Sequence, residues 1–213
     1  MSGGRSPGRL DVLAHEVRSP VAALGAIAEV YPAADEVRRR RLLELAGAAV
    51  ASIERLLGDA ATTSLRIERL DAGRLARDAA ETAALGDHPF VVEAEDGLAV
   101  DGDPERLRQA VDNLIANALG HSPPGGVVTV TARNTRGAVV IGVADEGEGI
   151  PADDLGRVFE PGVRLTDGRP GSGLGLAVVR AIAQAHGGEV EVDSAPGQGA
   201  TFRLVLPGAS GAR

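Results

Sequence analysis

Gly171-Ser172-Gly173-Leu174-Gly175-Leu176 decides the fold of this 213-residue chain, because its glycines follow a loop and open a helix expected over 174–186. The N–H groups and dipole of a helix start then face the loop, an arrangement suited to phosphate. A dinucleotide fingerprint would place its glycines directly after a first strand, with the spacing G-x-G-x-x-G. Here the spacing is G-x-G-x-G and the context is a late loop, so the dinucleotide reading fails.

Outward from that helix, alternating apolar residues predict strands over 65–70, 89–93, 98–101, 126–132, 138–144, 189–193 and 201–206. Helical spacing predicts helices near 72–84, 104–119, 152–158 and 174–186, the last stopped by Gly187-Gly188. This order suggests an α+β domain over 64–213. It is a two-layer α/β sandwich with one mixed sheet, helices on one face and room for a ligand between helices and loops.

The first 60 residues read differently. Leu10, Leu13, Val17, Val21, Leu24 and Ile27 recur at helical spacing, predicting a helix over 9–30 that Tyr31-Pro32 interrupts. A second stripe runs through Leu42, Leu45, Ala49, Ile53 and Leu56 to Gly58, completing a helical hairpin. Two helices cannot cover their own apolar faces, whereas two copies make a four-helix bundle, so a homodimer through 9–58 is expected. Arg38-Arg39-Arg40-Arg41 lies early on the second helix, where cations oppose the dipole. It reads as a solvated face.

Composition narrows the chemistry. All 22 basic residues are arginines, which excludes a P-loop and a serine, threonine or tyrosine protein kinase, since both need a lysine on the phosphates. A nucleotide site here must use arginine, backbone N–H groups and metal. The formal net charge is -8 and no basic tract is joined to aromatics, so no nucleic-acid partner is expected. Cysteine is absent, which excludes disulfides and thiolate metal sites and fits a cytoplasmic setting. The longest mostly apolar run, 21–30, contains Glu29 and falls far short of the ~20 residues of a bilayer span. Neither a membrane anchor nor a signal peptide is expected.

Asp112-Asn113-Leu114-Ile115-Ala116-Asn117-Ala118 puts two amides at i and i+4, on one helix face. Amide oxygens are hard, neutral ligands that suit Mg2+, which keeps waters and shares substrate phosphates. Asp145-Glu146-Gly147-Glu148-Gly149-Ile150-Pro151 follows an apolar strand. A carboxylate there, Asp145, can accept from the exocyclic amine of adenine, where guanine presents an oxygen. Gly147 and Gly149 permit a tight turn and the close approach of a base; a plain acidic turn stays open as the alternative. After Phe159-Glu160-Pro161, a segment with Arg164 and Arg169 among Gly162, Gly168 and Pro170 reads as a short lid over phosphates. Gly197-Gln198-Gly199-Ala200-Thr201-Phe202 enters the last strand and by itself is a hairpin. At the other end, Leu13-Ala14-His15-Glu16-Val17-Arg18-Ser19-Pro20 places on a helix a histidine, a neighbouring carboxylate and a hydroxyl one turn later.

In this order and spacing the set resembles the sensor histidine kinases of two-component systems, across nearly the whole chain. His15 to Pro20 looks like the H box, Asn113 to Asn117 the N box and Asp145 to Gly149 the G1 box. Phe159 looks like the F box, Gly171 to Gly175, with Gly173 and Leu174, the G2 box, and Gly197 to Thr201 the final glycine box. The resemblance implies a dimerisation and phosphotransfer hairpin over 1–60 and a Bergerat-type ATP-binding domain over 64–213. It implies that His15 takes the γ-phosphoryl of ATP with Glu16 as base, and that a response-regulator receiver is the partner. It further implies that Asn117 ligates Mg2+, Asn113 supports the phosphates, Asp145 reads adenine and Thr201 helps bind the base or its water, while Arg164 or Arg169 of the lid could stand in on the phosphates. Ser19 stands where the family orients a water for dephosphorylating the partner. One departure is Gly120, followed by His121, where the N box usually continues with a basic residue. His121, His186 and His88 are expected to pack or to be solvated.

Two other functions stay open: a phosphotransfer scaffold with a decayed ATP site, separated by nucleotide titration, and an ATP-driven switch whose hydrolysis ignores His15. About eight residues precede the first helix, so no sensor module is expected ahead of it. Input is then expected through a longer receptor of which this is the core, or from a separate sensor protein.

Overall fold

The computed structural model describes residues 9–33, 35, 38–39, 41–43, 45–47, 49, 65–84, 88–163 and 173–209, with backbone alone for 9–19 and 33. Helix α1 (Arg9–Val30) forms where the apolar spacing places it and carries Pro20 inside. Proline has no N–H to give the Glu16 carbonyl one turn back. A 3-10 turn at Tyr31–Ala33 ends the helix, and helical backbone resumes at the described residues 38–39, 41–43, 45–47 and 49. Asp35 caps that restart, its Oδ1 accepting from Arg38 N–H at 2.8 Å. Arg39 departs from the solvated reading of the arginine run: its guanidinium lies 5.7 Å from the Tyr31 ring centroid and donates to the Pro32 carbonyl at 3.3 Å. Arg38 and Arg41 are exposed. Ile53, Leu56 and Gly58 lie outside the described residues.

The remaining elements are β1 (Glu68–Asp71), α2 (Ala72–Ala83), β2 (Phe90–Ala94), β3 (Ala99–Gly102), α3 (Pro104–His121), β4 (Val128–Thr135), β5 (Ala138–Ala144), α4 (Gly175–Ala185), β6 (Glu189–Ser194) and β7 (Ala200–Pro207). Asp71 and Asp103 cap α2 and α3, each accepting from two N–H groups of the first turn. The helix expected over 152–158 is shorter, a 3-10 turn at Ala152–Asp154.

The single mixed sheet expected from sequence is two sheets. Five strands run β2-β4-β5-β7-β6, while β1 pairs only with β3. In the larger sheet β2 is parallel to β4 and every other pairing is antiparallel. The split has a local cause: β6 starts at Glu189, opposite Val205, so β7 runs on past it. There β3 gains only the Val100–Gly208 bridge and the bond from Ala209 N–H to the Ala99 carbonyl.

The helices do lie on one face. Val128, Val130, Val139, Ile141, Val143, Phe202 and Leu204 point inward, against Ala76 and Ala80 of α2, Leu107, Val111, Leu114 and Ile115 of α3, and Val179 and Ala183 of α4. The strand period of two sends the alternate residues outward. There Thr131, Arg133, Val140, Gly142, Thr201, Arg203 and Val205 border a shallow depression of about 470 Å³.

Candidate functional site

Two glycine turns join at the ends of β5 and β7. Asp145, only 8% exposed, gives its backbone N–H to the Ala200 carbonyl at 2.9 Å. Its Oδ1 accepts from Gly147 N–H at 2.8 Å and from Ala200 N–H at 3.2 Å. Burial pushes the Asp145 carboxyl up, against the N–H groups of Gly147 and Ala200 and the charge of His121, which pull it down. The net is upward. Both of these bonds use Oδ1, so Oδ2 can serve as the acceptor for an incoming amine.

The second turn backs the first. Gly197 N–H donates to the Glu148 carbonyl at 2.7 Å and Gly199 N–H to the Gly147 carbonyl at 3.1 Å. Gly149 lies against the Ala195 carbonyl so closely that a β-carbon would overlap it. Ser194 Oγ ties both turns, accepting from Ile150 N–H at 2.8 Å and donating to the Gly199 carbonyl at 2.6 Å.

Helix α3 supplies the next wall. Asn113 and Asn117, one turn apart, are half-buried, and Asn113 Nδ2 donates to the Gly175 carbonyl at 3.5 Å. This brings the amide pair to the first turn of α4. Leu174 holds the N-cap position there and is itself buried, its apolar side chain offering no cap to the helix. At the far end of α3, His121 Nδ1 is 3.5 Å from Glu148 Oε1. Gly120 is exposed, with nothing within 4 Å of the place of a β-carbon. Glu146 reaches the same corner, accepting from Val127 N–H at 3.0 Å.

The fold brings Asn113 to Gly175, Asp145 to Gly147 and Ala200, and Gly147 to His121 at the end of α3. Gly173 stands at the base of the expected lid, its carbonyl accepting from Gly162 N–H at 3.1 Å. Arg164 and Gly171 lie outside the described residues. Phe159 is a core residue, its ring edge-on to Phe202 at 6.1 Å between centroids, a contact of roughly 0.5–1.5 kcal/mol. Thr201 is not brought to the carboxylate. The two-residue period of β7 turns it onto the outer face, among the residues of the depression, and the residue at Asp145 is Ala200. His15, Glu16 and Ser19 fall on α1, where the backbone alone is described.

Sequence reading missed Ala200, Ser194 and Glu146. Each acts through a backbone group of a distant segment, and no residue type marks that. His186 packs as expected: Nε2 accepts from Asp103 N–H at 3.0 Å and Nδ1 donates to the Ile182 carbonyl at 2.7 Å. His88 is partly buried, with Nδ1 3.2 Å from the Gly126 carbonyl.

Known proteins are similar to this chain in sequence and fold. The family described as histidine kinase-, DNA gyrase B-, and HSP90-like ATPase matches residues 102–210. The chain is 35% identical over 210 residues to the sensor protein DivL of Caulobacter vibrioides, covering 92% of this chain and 27% of that one. It is 34% identical over 220 residues to the sensor-like histidine kinase SenX3 of Mycolicibacterium smegmatis, covering 92% and 56%. It therefore spans 27% and 56% of the length of these two relatives. Among solved structures, the mycobacterial sensor histidine kinase MprB superposes with a TM-score of 0.61 at 35% identity, over 67% of this chain and 97% of that one. Full-length ShkA in complex with AMPPNP gives 0.69 at 28% identity, over 98% and 47%.

Proposed function

Because the chain belongs to the histidine kinase-, DNA gyrase B- and HSP90-like ATPase family, we propose that it is an ATP-dependent protein histidine kinase. In this reading His15 takes the γ-phosphoryl of ATP and passes it to an aspartate of a response-regulator receiver. Residues 1–60 form the dimerising hairpin and 64–213 the ATP-binding domain. Ser19 serves the reverse reaction, holding a water for dephosphorylation of the receiver. The absence of cysteine and the use of ATP support a cytoplasmic location. Among the described residues no helix is long and apolar enough to cross a membrane. Input arrives from a sensor, on the same polypeptide or a separate one.

One observation carries the proposal. A single chain carries a histidine-bearing helix, a buried carboxylate at Asp145, and a helix amide, Asn113, held against the first turn of α4. Asp145 accepts from the adenine amine, and the α4 start receives phosphate. Asn113 gives its amide hydrogen to Gly175 and keeps its oxygen for the phosphate end. Neutral amides one turn apart fit a Mg2+ shared with phosphates, which Asn117 would hold. That ion supplies neutralisation of phosphate charge. Glu16 takes the imidazole proton as the His15 nitrogen attacks the γ-phosphorus, the bond to the bridging oxygen breaks, and ADP leaves.

Incubating the chain with γ-labelled ATP and Mg2+ tests this directly. Acid-labile label on the protein is expected, and its absence rejects the reading.

The state of Asp145 makes a second test. Its raised carboxyl takes up a proton above the ordinary value of ~3.9, so ATP affinity is expected to fall as pH drops through that raised value. The folded chain holds this proton more tightly than the unfolded one, so protonation of Asp145 favours the fold. Acid unfolding comes at lower pH: despite their burial, Asp71 and Asp103 are held below the ordinary value by backbone N–H groups, and their stabilisation fades only as pH falls through those depressed values. ATP titration from neutral pH down to the ordinary carboxylate range should show the affinity step in the wild type and none in Asp145→Asn, which binds weakly throughout. A wild type with no step would remove Asp145 from the role.

A further inference from the structure

Asp103 and Asp145 are the buried acids among the described residues, and the reading above uses only Asp145. The carboxylate of Asp103 divides its work between two segments. Oδ1 accepts from Glu105 and Arg106 N–H, each at 3.1 Å, and so caps α3. Oδ2 accepts from Arg66 N–H at 2.9 Å, 37 residues earlier in the chain. The N–H of Asp103 is bound in turn to His186, at the end of α4.

Arg66 belongs to the stretch through which the chain, coming from His15, enters the ATP-binding domain. The β1–β3 pairing begins at Glu68, two residues on; Arg66 itself is exposed and Ile67 is 54% exposed, so apolar burial contributes little at these two residues. The charge-assisted hydrogen bond from Arg66 N–H extends the hold on the chain two residues beyond β1 and ties it to Asp103, which also contacts α3 and α4.

We propose that Asp103 is a positioning residue for phosphoryl transfer to His15, clamping the Arg66 backbone so that the hairpin hangs from a fixed point beside α3 and α4. The idea rests on the histidine kinase reading. In-line transfer between two domains depends on placement, and a misplacement of about 1 Å can cost on the order of 100-fold in rate. ATP binding, which uses the other end of α3, does not depend on the clamp.

Asp103→Asn isolates the clamp. Its amide oxygen can still cap α3, while its NH2 faces the Arg66 N–H, donor against donor. Arg66→Pro removes the same bond from the other side and leaves Asp103 intact. Measured on the full chain with labelled ATP and Mg2+, each variant is expected to autophosphorylate roughly tenfold more slowly at saturating ATP, with ATP affinity and KM unchanged. Groups acting as one unit are not additive, so the double variant should be no slower than either single one. If Asp103→Asn lowers the melting temperature, the cap has been lost with the clamp, and Arg66→Pro decides.

Label in the wild type with wild-type rates in Arg66→Pro overturns the positioning role alone. Rate and ATP affinity falling together in both variants also overturns it, because Asp103 would then be only structural. A wild type that takes no label overturns the kinase reading itself.

Discussion

His15→Ala is expected to abolish acid-labile labelling from γ-labelled ATP while leaving ATP affinity at the wild-type level. Alanine offers no nitrogen to attack phosphorus, and a phosphoryl group on nitrogen is the species that acid releases. Histidines elsewhere in the described chain cannot substitute easily. His186 has one ring nitrogen bound to Asp103 N–H and the other to the Ile182 carbonyl. His88 contacts the Gly126 carbonyl, and His121 faces Glu148. ATP affinity is the second half of the expectation. The groups described around Asp145, Asn113 and Gly175 come from β5, β7, α3 and α4 and the turns between them, so deleting the imidazole removes the acceptor and not the site. Asn117→Ala makes the contrast, since it should lose label by weakening the metal and phosphate end. Label persisting in His15→Ala would reject His15 as the acceptor, and loss of ATP affinity in that variant would place His15 in the wrong site.

Gly199→Ala is expected to have a large effect for a single methyl added to the nucleotide site. Gly199 has φ +69°, a region that costs a side-chain-bearing residue roughly 1–2 kcal/mol. A β-carbon there would also overlap the Asp145 carbonyl oxygen. The neighbour is backbone and cannot swing aside, so the Asp145 strand end must move. That movement breaks the pairing of Asp145 N–H with the Ala200 carbonyl and of Ala200 N–H with the carboxylate. Each of these buried bonds, once broken, costs about 1–3 kcal/mol. Gly197→Ala is the internal control, because Gly197 has φ +76° but nothing within 4 Å of its β-carbon position. It should lose only the conformational term. Thermal unfolding and ATP titration of both variants test the comparison: Gly199→Ala is expected to melt far lower and to lose ATP affinity at least tenfold, the equivalent of about 1.4 kcal/mol. Equal behaviour of the two would mean that the carbonyl contact does not hold the turn.

Much of the architecture was legible because periodicity reports burial. The inward residues of β4, β5 and β7 alternate, α3 repeats at three and four, and each of these elements appears within a few residues of its expected place. Asp71 and Asp103 stand before apolar helical stripes, and both turn out to be caps. Glycine-rich turns were legible for a similar reason, since a close backbone approach excludes other residues. Thr201 shows where this reasoning fails. A residue's type suggests a polar role, but its phase on the strand decides which face it meets, and one position separates Ala200 from Thr201.

By itself, then, the amino-acid order determined the run of helices and strands, the exclusion of lysine-dependent phosphate sites, and the set of motif residues to be gathered. Those properties depend on local repeat and on which functional groups the chain possesses. Tertiary structure decided that β1 and β3 stand apart from the main sheet, that Ala200 and not Thr201 meets Asp145, and that Asp103 holds both Arg66 and, through His186, the end of α4. These depend on hydrogen bonds between residues 37 to 83 positions apart. Backbone groups are the same in every residue, so no side-chain pattern announces which of them will meet.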